Sequence, residues 1–155
     1  MKIEVERKSL FSWDCTLRMD GRVRGTMGFN WFRRGGTIEI GSATYDIRYQ
    51  GFLSRVWELQ QGAKVLATAT KKGFRTRFRL ECDAGTFDIE RGGLFSRTYD
   101  VNQGGREVGS IGATGVFSRG LVGHLPDSWA GSDAAFVAWL VTMVRRRRAR
   151  ANNSS

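Results

Sequence analysis

The sequence predicts a mainly β protein of about a dozen short antiparallel strands, followed by one apolar α-helix near the C-terminus. Apolar and polar residues alternate in short segments between residues 3 and 117, and glycine-containing turns separate most of them. No helical periodicity precedes Gly131, whereas the run after it is apolar on every side. Many short strands with regular turns indicate an antiparallel sandwich or a closed barrel, and closure would remove exposed strand edges.

The helix is predicted over about residues 133–148. Ser132 or Asp133 is expected to cap its start, and the four consecutive arginines at its end suit the negative pole of the helix dipole: Arg145, Arg146, Arg147 and Arg148. A membrane span is the alternative interpretation. A spanning helix needs about 20 apolar residues, and this run is shorter. Because an apolar helix without a polar stripe must be enclosed, we expect the strands to surround it.

The strands follow one another in short segments from the N-terminus. Ile3 and Val5 alternate with glutamates, and apolar residues occupy every second position over residues 11–19. Asp20 and Gly21 then form a dipeptide that is favoured in hairpins, where both central residues take positive φ. One strand or a pair is expected over 22–32, an exposed turn over 33–36, and further strands near 38–40, 45–49, 53–59, 63–70, 74–81, 85–89, 95–101, 108–111 and 116–117.

One predicted strand has a face of small residues. Ala63, Val65, Ala67 and Ala69 alternate with Lys64, Leu66, Thr68 and Thr70. If a barrel encloses a helix, small inward residues would let the two backbones approach each other. An ordinary strand with a shallow core face explains this segment equally well.

The strand over residues 74–81 carries a cationic stripe. Arg75, Arg77 and Arg79 share one face, and Lys71 and Lys72 lie in the turn before it. Guanidinium groups match phosphate oxygens with forked donors, so the stripe is a candidate site for an anionic headgroup. Alternatively, Asp88 and Glu90 on the next strand neutralise it.

Composition points to an anionic partner and an intracellular setting. The formal net charge of this 155-residue chain is +10, which suits acidic lipid or nucleic acid, or serves solubility alone. The charged N-terminal segment lacks the apolar core of a secretory signal. Cys15 and Cys82 lie far apart in predicted strands, where reduced cysteines act as small apolar residues. We therefore expect a cytoplasmic protein, either free or peripheral at the membrane surface.

Motifs for catalysis, metals or cofactors are not found. The single histidine, His124, has no Cys, Asp or Glu cluster near it in sequence and is expected in a surface loop. The glycines over residues 104–115 are not followed by the Gly-Lys-Ser/Thr of a phosphate-binding loop. We therefore predict a non-enzyme without a cofactor or a metal.

The last part of the chain is the most suggestive of a family. The segments FSRTYDVNQGGREVGSIG and FSRGLVGHLPDSWAGSDAAFVAWLVTMV, within residues 95–144, look like final strands entering a threading helix. With a dozen strands before it, this arrangement resembles the tubby C-terminal-like superfamily, which includes tubby domains, LURP-one-related proteins and phospholipid scramblases. The resemblance implies a closed barrel threaded by its last helix, here with about 12 strands. The length of the chain indicates a single domain, over 1–148, and we expect a disordered polar tail over 149–155.

The resemblance also implies binding of phosphoinositide headgroups by basic residues on the barrel wall. The candidates are Lys71, Lys72, Arg75, Arg77 and Arg79, with Arg145, Arg146, Arg147 and Arg148 as a second contact to an anionic surface. The leading hypothesis is a non-catalytic module for acidic phospholipid. The alternatives are a nucleic-acid-binding barrel that stacks bases on Trp31, Phe32 or Trp57, and a domain that binds another protein.

Overall fold

The computed structural model describes residues 1–8, 14–30, 32–51, 54–73, 77–93, 96–113 and 120–153. In these ranges the chain forms twelve strands and one helix. They are β1 (Lys2–Arg7), β2 (Cys15–Met19), β3 (Arg22–Asn30), β4 (Gly35–Ile40), β5 (Ala43–Gln50), β6 (Val56–Gln61), β7 (Lys64–Lys71), β8 (Arg77–Cys82), β9 (Gly85–Arg91), β10 (Thr98–Gln103), β11 (Arg106–Ala113), β12 (Leu121–His124) and α1 (Gly131–Asn153).

The strands form a closed antiparallel barrel in which each strand pairs with its neighbours in sequence. The seam joins the first strand to the last, with Ile3 opposite Gly123 and Val5 opposite Leu121. The predicted closed barrel of about 12 strands with a C-terminal helix is therefore confirmed. Phe11, Trp13 and Val116, which were assigned to strands, lie outside the described residues.

The helix α1 fills the barrel. Its side chains from Ala134 to Val141 are at most 1% exposed, although together they point in every direction around the helix axis. The inward strand residues, such as Ile3, Leu17, Phe78 and Leu80, are buried to the same degree and belong to one core with the helix. Over the described residues, no helix is long and apolar enough to cross a membrane.

The small face on β7 is only partly as predicted. Ala67 and Ala69 are buried, as expected for clearance, but Val65 is 46% exposed. The register of β7 against β6 shifts between Leu59 and Gln60, so that Leu66 is passed over in the pairing. Because one inserted residue moves the following side chains to the other face, Val65 turns outward.

A close contact joins the helix to β3 and β4. The indole Nε1 of Trp139 donates a hydrogen bond to the carbonyl of Gly28 (3.0 Å), and the ring stacks on Phe29 with centroids 5.1 Å apart. A Cβ on Gly36 would lie 2.6 Å from that Nε1. The predicted exposed turn over 33–36 is therefore wrong at its end, because Gly35 and Gly36 are residues of β4, and Gly36 makes room for the helix.

Both helix ends differ from the prediction. The carbonyl of Ala130 accepts hydrogen bonds from the amides of Asp133 and Ala134 (both 3.1 Å), which places Ser132 and Asp133 inside the first turn instead of at a cap. At the other end α1 continues to Asn153, so most of the predicted disordered tail over 149–155 is helical. Alanine and arginine favour helix, and no glycine or proline follows Arg148 to stop it.

Several smaller predictions are settled. Asp20 and Gly21 form the expected two-residue hairpin, with φ of 50° and 82°. Cys15 and Cys82 are both free thiols in strands. His124 closes strand β12 instead of lying in a loop, and its side chain is exposed.

Candidate functional site

The predicted stripe on β8 is partly engaged in ion pairs on the barrel wall. Arg77 contacts Glu90 (Nε to Oε1, 2.8 Å) and Asp88 (Nη2 to Oδ2, 3.5 Å) on β9. Arg79 lies directly opposite Asp88 in the register. The structure thus brings the two acids to the stripe, as the alternative interpretation required. Arg75 lies outside the described residues.

The lysines before β8 have separate positions. Lys72 is exposed, and its amide donates to the carbonyl of Arg77 (2.8 Å), which closes the end of the β7–β8 pair. Lys71 is partly buried at the end of β7, and its amide donates to the carbonyl of Arg55 (2.9 Å). Both lysines lie at the end of the barrel from which α1 emerges, but of the two only Lys71 lines the cleft there.

At this end Lys71 meets the C-terminal part of α1. A cleft of about 200 Å³ has Lys71, Arg147 and Arg148 at its polar side and Trp57, Phe78 and Met143 at its apolar side. The structure therefore combines residues from the two sets that the sequence suggested separately, one on the barrel wall and one after the helix.

A second cleft lies on the other side of Arg147. It encloses about 170 Å³ and is lined by Arg34, Arg147 and Arg150, with Phe29, Trp139 and Met143 as its apolar part. Arg34 belongs to the β3–β4 connection and Arg55 to the β5–β6 connection. We call the set Arg34, Arg55, Lys71, Arg147 and Arg148 the basic mouth.

Aromatic rings position two of these cations. The guanidinium of Arg147 lies 5.9 Å from the ring centroid of Trp57, and that of Arg34 lies 5.5 Å from that of Tyr49. Tyr49 and Trp57 are in contact, with centroids 4.7 Å apart. The indole N–H of Trp57 also donates to the carbonyl of Arg34 (3.1 Å). These rings hold Arg34 and Arg147 on the same side of the barrel end.

Two cations of the basic mouth, Lys71 and Arg147, have lowered pKa values. Burial lowers the pKa of Lys71, and the positive charges of Arg55, Arg147 and Arg148 lower it further. Partial burial also lowers the pKa of Arg147, with Arg34 adding to the effect. All 15 acidic residues of the chain lie in its described part, yet no carboxylate there contributes to either pKa. An anion bound here would relieve this repulsion.

The other two helix arginines point toward different strands. Arg145 donates from Nη1 to the carbonyl of Gly120 (3.1 Å). Arg146 is buried, and its burial, together with the charges of Arg150 and Arg7, lowers its pKa to about 10. The predicted run of four arginines therefore divides, because successive helix positions are about 100° apart, and Arg147 and Arg148 alone line the first cleft.

The sequence interpretation missed Arg34 and Arg55. Adjacent antiparallel strands alternate in direction, so every connection that follows an odd-numbered strand lies at the same end of this barrel. Counting strands would have placed Arg34, Arg55 and Lys71 together. Trp57, which was suggested as an exposed stacking platform, is only 1% exposed and supports the cleft from within. Trp31 lies outside the described residues.

Comparisons with protein-family models, curated proteins and solved structures find no match. The resemblance to the tubby C-terminal-like superfamily therefore stays a prediction.

Proposed function

We propose that this protein is a non-catalytic module that binds the phosphate of an acidic phospholipid headgroup, as in a phosphoinositide, at the basic mouth. The observation that carries the proposal is the convergence of Lys71 and Arg147 from distant parts of the chain. Their mutual repulsion and partial burial are costs to the free protein that a bound phosphate would offset. Binding sites often lower the stability of the fold that carries them, and a cluster of like charges is one way in which they do so.

The size of the clefts favours a phosphate group over a whole lipid. Pockets for complete small molecules measure about 300–1,000 Å³. The clefts on either side of Arg147 measure about 170 and 200 Å³. The interior of the barrel is filled by α1, which leaves no room there for an acyl chain. We therefore assign recognition to the headgroup alone.

The chemistry of the side chains also fits a phosphate. Arg147 and Arg34 present forked N–H donors, and Lys71 adds a point charge with three donors. Arg77 on the wall already contacts two carboxylates, so we place the ligand at the basic mouth and not on the stripe.

Isothermal titration calorimetry with inositol trisphosphate tests the proposal. The wild-type protein should bind it, and Lys71→Gln and Arg147→Gln should each weaken binding about tenfold, the usual scale for a hydrogen bond to a charged group. Arg79→Gln is the matched control, since it removes one charge from the wall and should leave binding nearly unchanged.

Two results would refute the proposal. One is the absence of saturable binding by the wild-type protein. The other is a loss with Arg79→Gln as large as with the mouth variants, which would return the site to the stripe. A single-stranded oligonucleotide that displaces the inositol phosphate would favour the nucleic-acid alternative.

A further inference from the structure

One aromatic side chain at the same end of the barrel has no structural role. Phe32, in the β3–β4 connection, is fully exposed. The connection is ordered by other residues: the amide of Arg33 donates to Asn30 Oδ1 (3.3 Å), and Arg34 takes the positive φ of 55°. Tight turns favour Gly, Asn, Asp and Ser, so a phenylalanine here adds nothing to the turn.

The position of Phe32 differs from that of the other exposed large apolar side chains in the described part of the chain. These are Val23, near the start of β3, and Val65, near the start of β7, and both belong to the opposite end of the barrel. Phe32 instead has Arg33 and Arg34 beside it, and Arg34 lines a cleft with Arg147. An exposed aromatic ring and the cations of the basic mouth thus share one surface.

We infer that the basic mouth is a membrane-docking face, on which Phe32 inserts among the lipids of an anionic bilayer while the surrounding cations contact the phosphates. This inference rests on the proposed function and adds the orientation of the protein, with the C-terminal end of α1 toward the bilayer. Basic and aromatic side chains together are typical of proteins that lie on a membrane surface. Long arginine side chains can reach phosphates from beside an inserted ring.

The sequence shows a matching pattern in the connections. Each of the six connections that follow an odd-numbered strand contains one phenylalanine and at least one Lys or Arg, whereas the five two-residue connections after β2, β4, β6, β8 and β10 contain no aromatic residue. The other five phenylalanines, at positions 11, 52, 74, 95 and 117, lie outside the described residues. The proposed face is therefore defined by Phe32 and the basic mouth alone.

A bilayer suits this face better than a nucleic acid does. Binding of single strands uses several exposed rings on which successive bases stack. Trp57, over which the guanidinium of Arg147 lies, is only 1% exposed and offers no face to a base. A protruding ring surrounded by cations matches the layered polarity of a membrane surface.

Vesicle co-sedimentation tests the orientation. The wild-type protein should bind vesicles of phosphatidylcholine that contain phosphatidylserine, and Phe32→Ser should lower the partition coefficient about tenfold, the scale of withdrawing an aromatic side chain from an apolar phase. Val23→Ser is the matched control: Val23 is 59% exposed near the start of β3, at the opposite end of the barrel from Phe32, and its replacement should leave partitioning unchanged.

The soluble headgroup separates this inference from the proposed function. Inositol trisphosphate has no hydrocarbon phase, so Phe32→Ser should bind it as tightly as the wild-type protein does. If Phe32→Ser binds the headgroup normally and also binds vesicles as well as the wild-type protein does, the proposed orientation is wrong, while the proposed function stands. An equal loss with Val23→Ser, or displacement of the vesicles by a single-stranded oligonucleotide, would also overturn it. Absence of headgroup binding by the wild-type protein would instead overturn the proposed function.

Discussion

Gly36 is a position where the helix and the barrel wall leave no room for a side chain. A Cβ built there would lie 2.1 Å from the carbonyl oxygen of Gly28 and 2.6 Å from Nε1 of Trp139, the two atoms that form the hydrogen bond between α1 and β3. Gly36→Ala must therefore displace the indole. We expect a cost of about 1–3 kcal/mol for overpacking and about 1–3 kcal/mol for the broken buried hydrogen bond.

The assay is urea unfolding followed by far-ultraviolet circular dichroism, with Gly28→Ala as the control. A Cβ on Gly28 would meet only Asp14 Oδ1 at 3.4 Å, an ordinary contact. Gly28→Ala should thus be neutral or should gain up to about 1 kcal/mol by restricting the unfolded chain. Equal stability of the two alanine variants would refute the reasoning.

A second comparison tests whether Trp139 is a reason for the glycine at position 36. Trp139→Phe removes Nε1, one of the two atoms that Gly36→Ala would strike, while the carbonyl oxygen of Gly28 remains and a ring stays against Phe29. The double variant should therefore lose less stability than the two single losses added together. Simple additivity would show that Trp139 is not the reason for a glycine at position 36.

Two further predictions concern buried charge. Burial, with the nearby charge of Asp83, raises the pKa of Asp133 to about 6, so the ionised carboxylate weakens the fold. Stability should thus be highest while Asp133 is protonated, should fall by about 2–3 kcal/mol as the pH rises from the ordinary pKa of 3.8 to about 6, and should level off above that. Urea midpoints across this range should show the slope in the wild-type protein and lose most of it in Asp133→Asn; an unchanged slope would contradict the assignment. Because the pKa of Lys71 is lowered, its charged form also costs stability. Lys71→Gln should raise the urea midpoint at neutral pH, with a gain of roughly 0.5–2 kcal/mol in the free energy of unfolding, while it weakens headgroup binding; a lower midpoint would contradict the proposed repulsion.

The architecture was accessible from the sequence because burial leaves a simple pattern. Alternation at Ile3 and Val5, and again at Phe78 and Leu80, predicts inward-facing strand residues, and an apolar run without a polar side predicts an enclosed helix. A local shift in strand register leaves no such pattern in the sequence. The bulge that turns Val65 outward depends on how β7 pairs with β6, which alternation within one strand does not specify.

The candidate site was accessible only in part. Lys71 and Arg147 were both candidates, but whether they line one cleft depends on the depth to which α1 enters the barrel, and that depth is set by packing such as Trp139 against Gly36. Arg34 could have been placed at this end of the barrel simply because it follows an odd-numbered strand. The pairing of Arg77 with Glu90 was foreseen as an alternative, because residues on adjacent strands of a hairpin lie opposite each other.

The seam between β1 and β12 has a consequence for how fast the protein folds. The two strands that close the barrel are separated by ten others along the chain. Just beyond them the amide of Leu125 donates a hydrogen bond to the carbonyl of Met1 (2.9 Å), which joins the two ends of the barrel sequence. Contacts between such distant residues lower the free energy only after the chain has already lost the entropy of closing a long loop. Until α1 enters, the inward residues of every strand also lack their partner. We therefore expect folding to be slow and to proceed in one concerted step, with no partly closed barrel stable enough to accumulate.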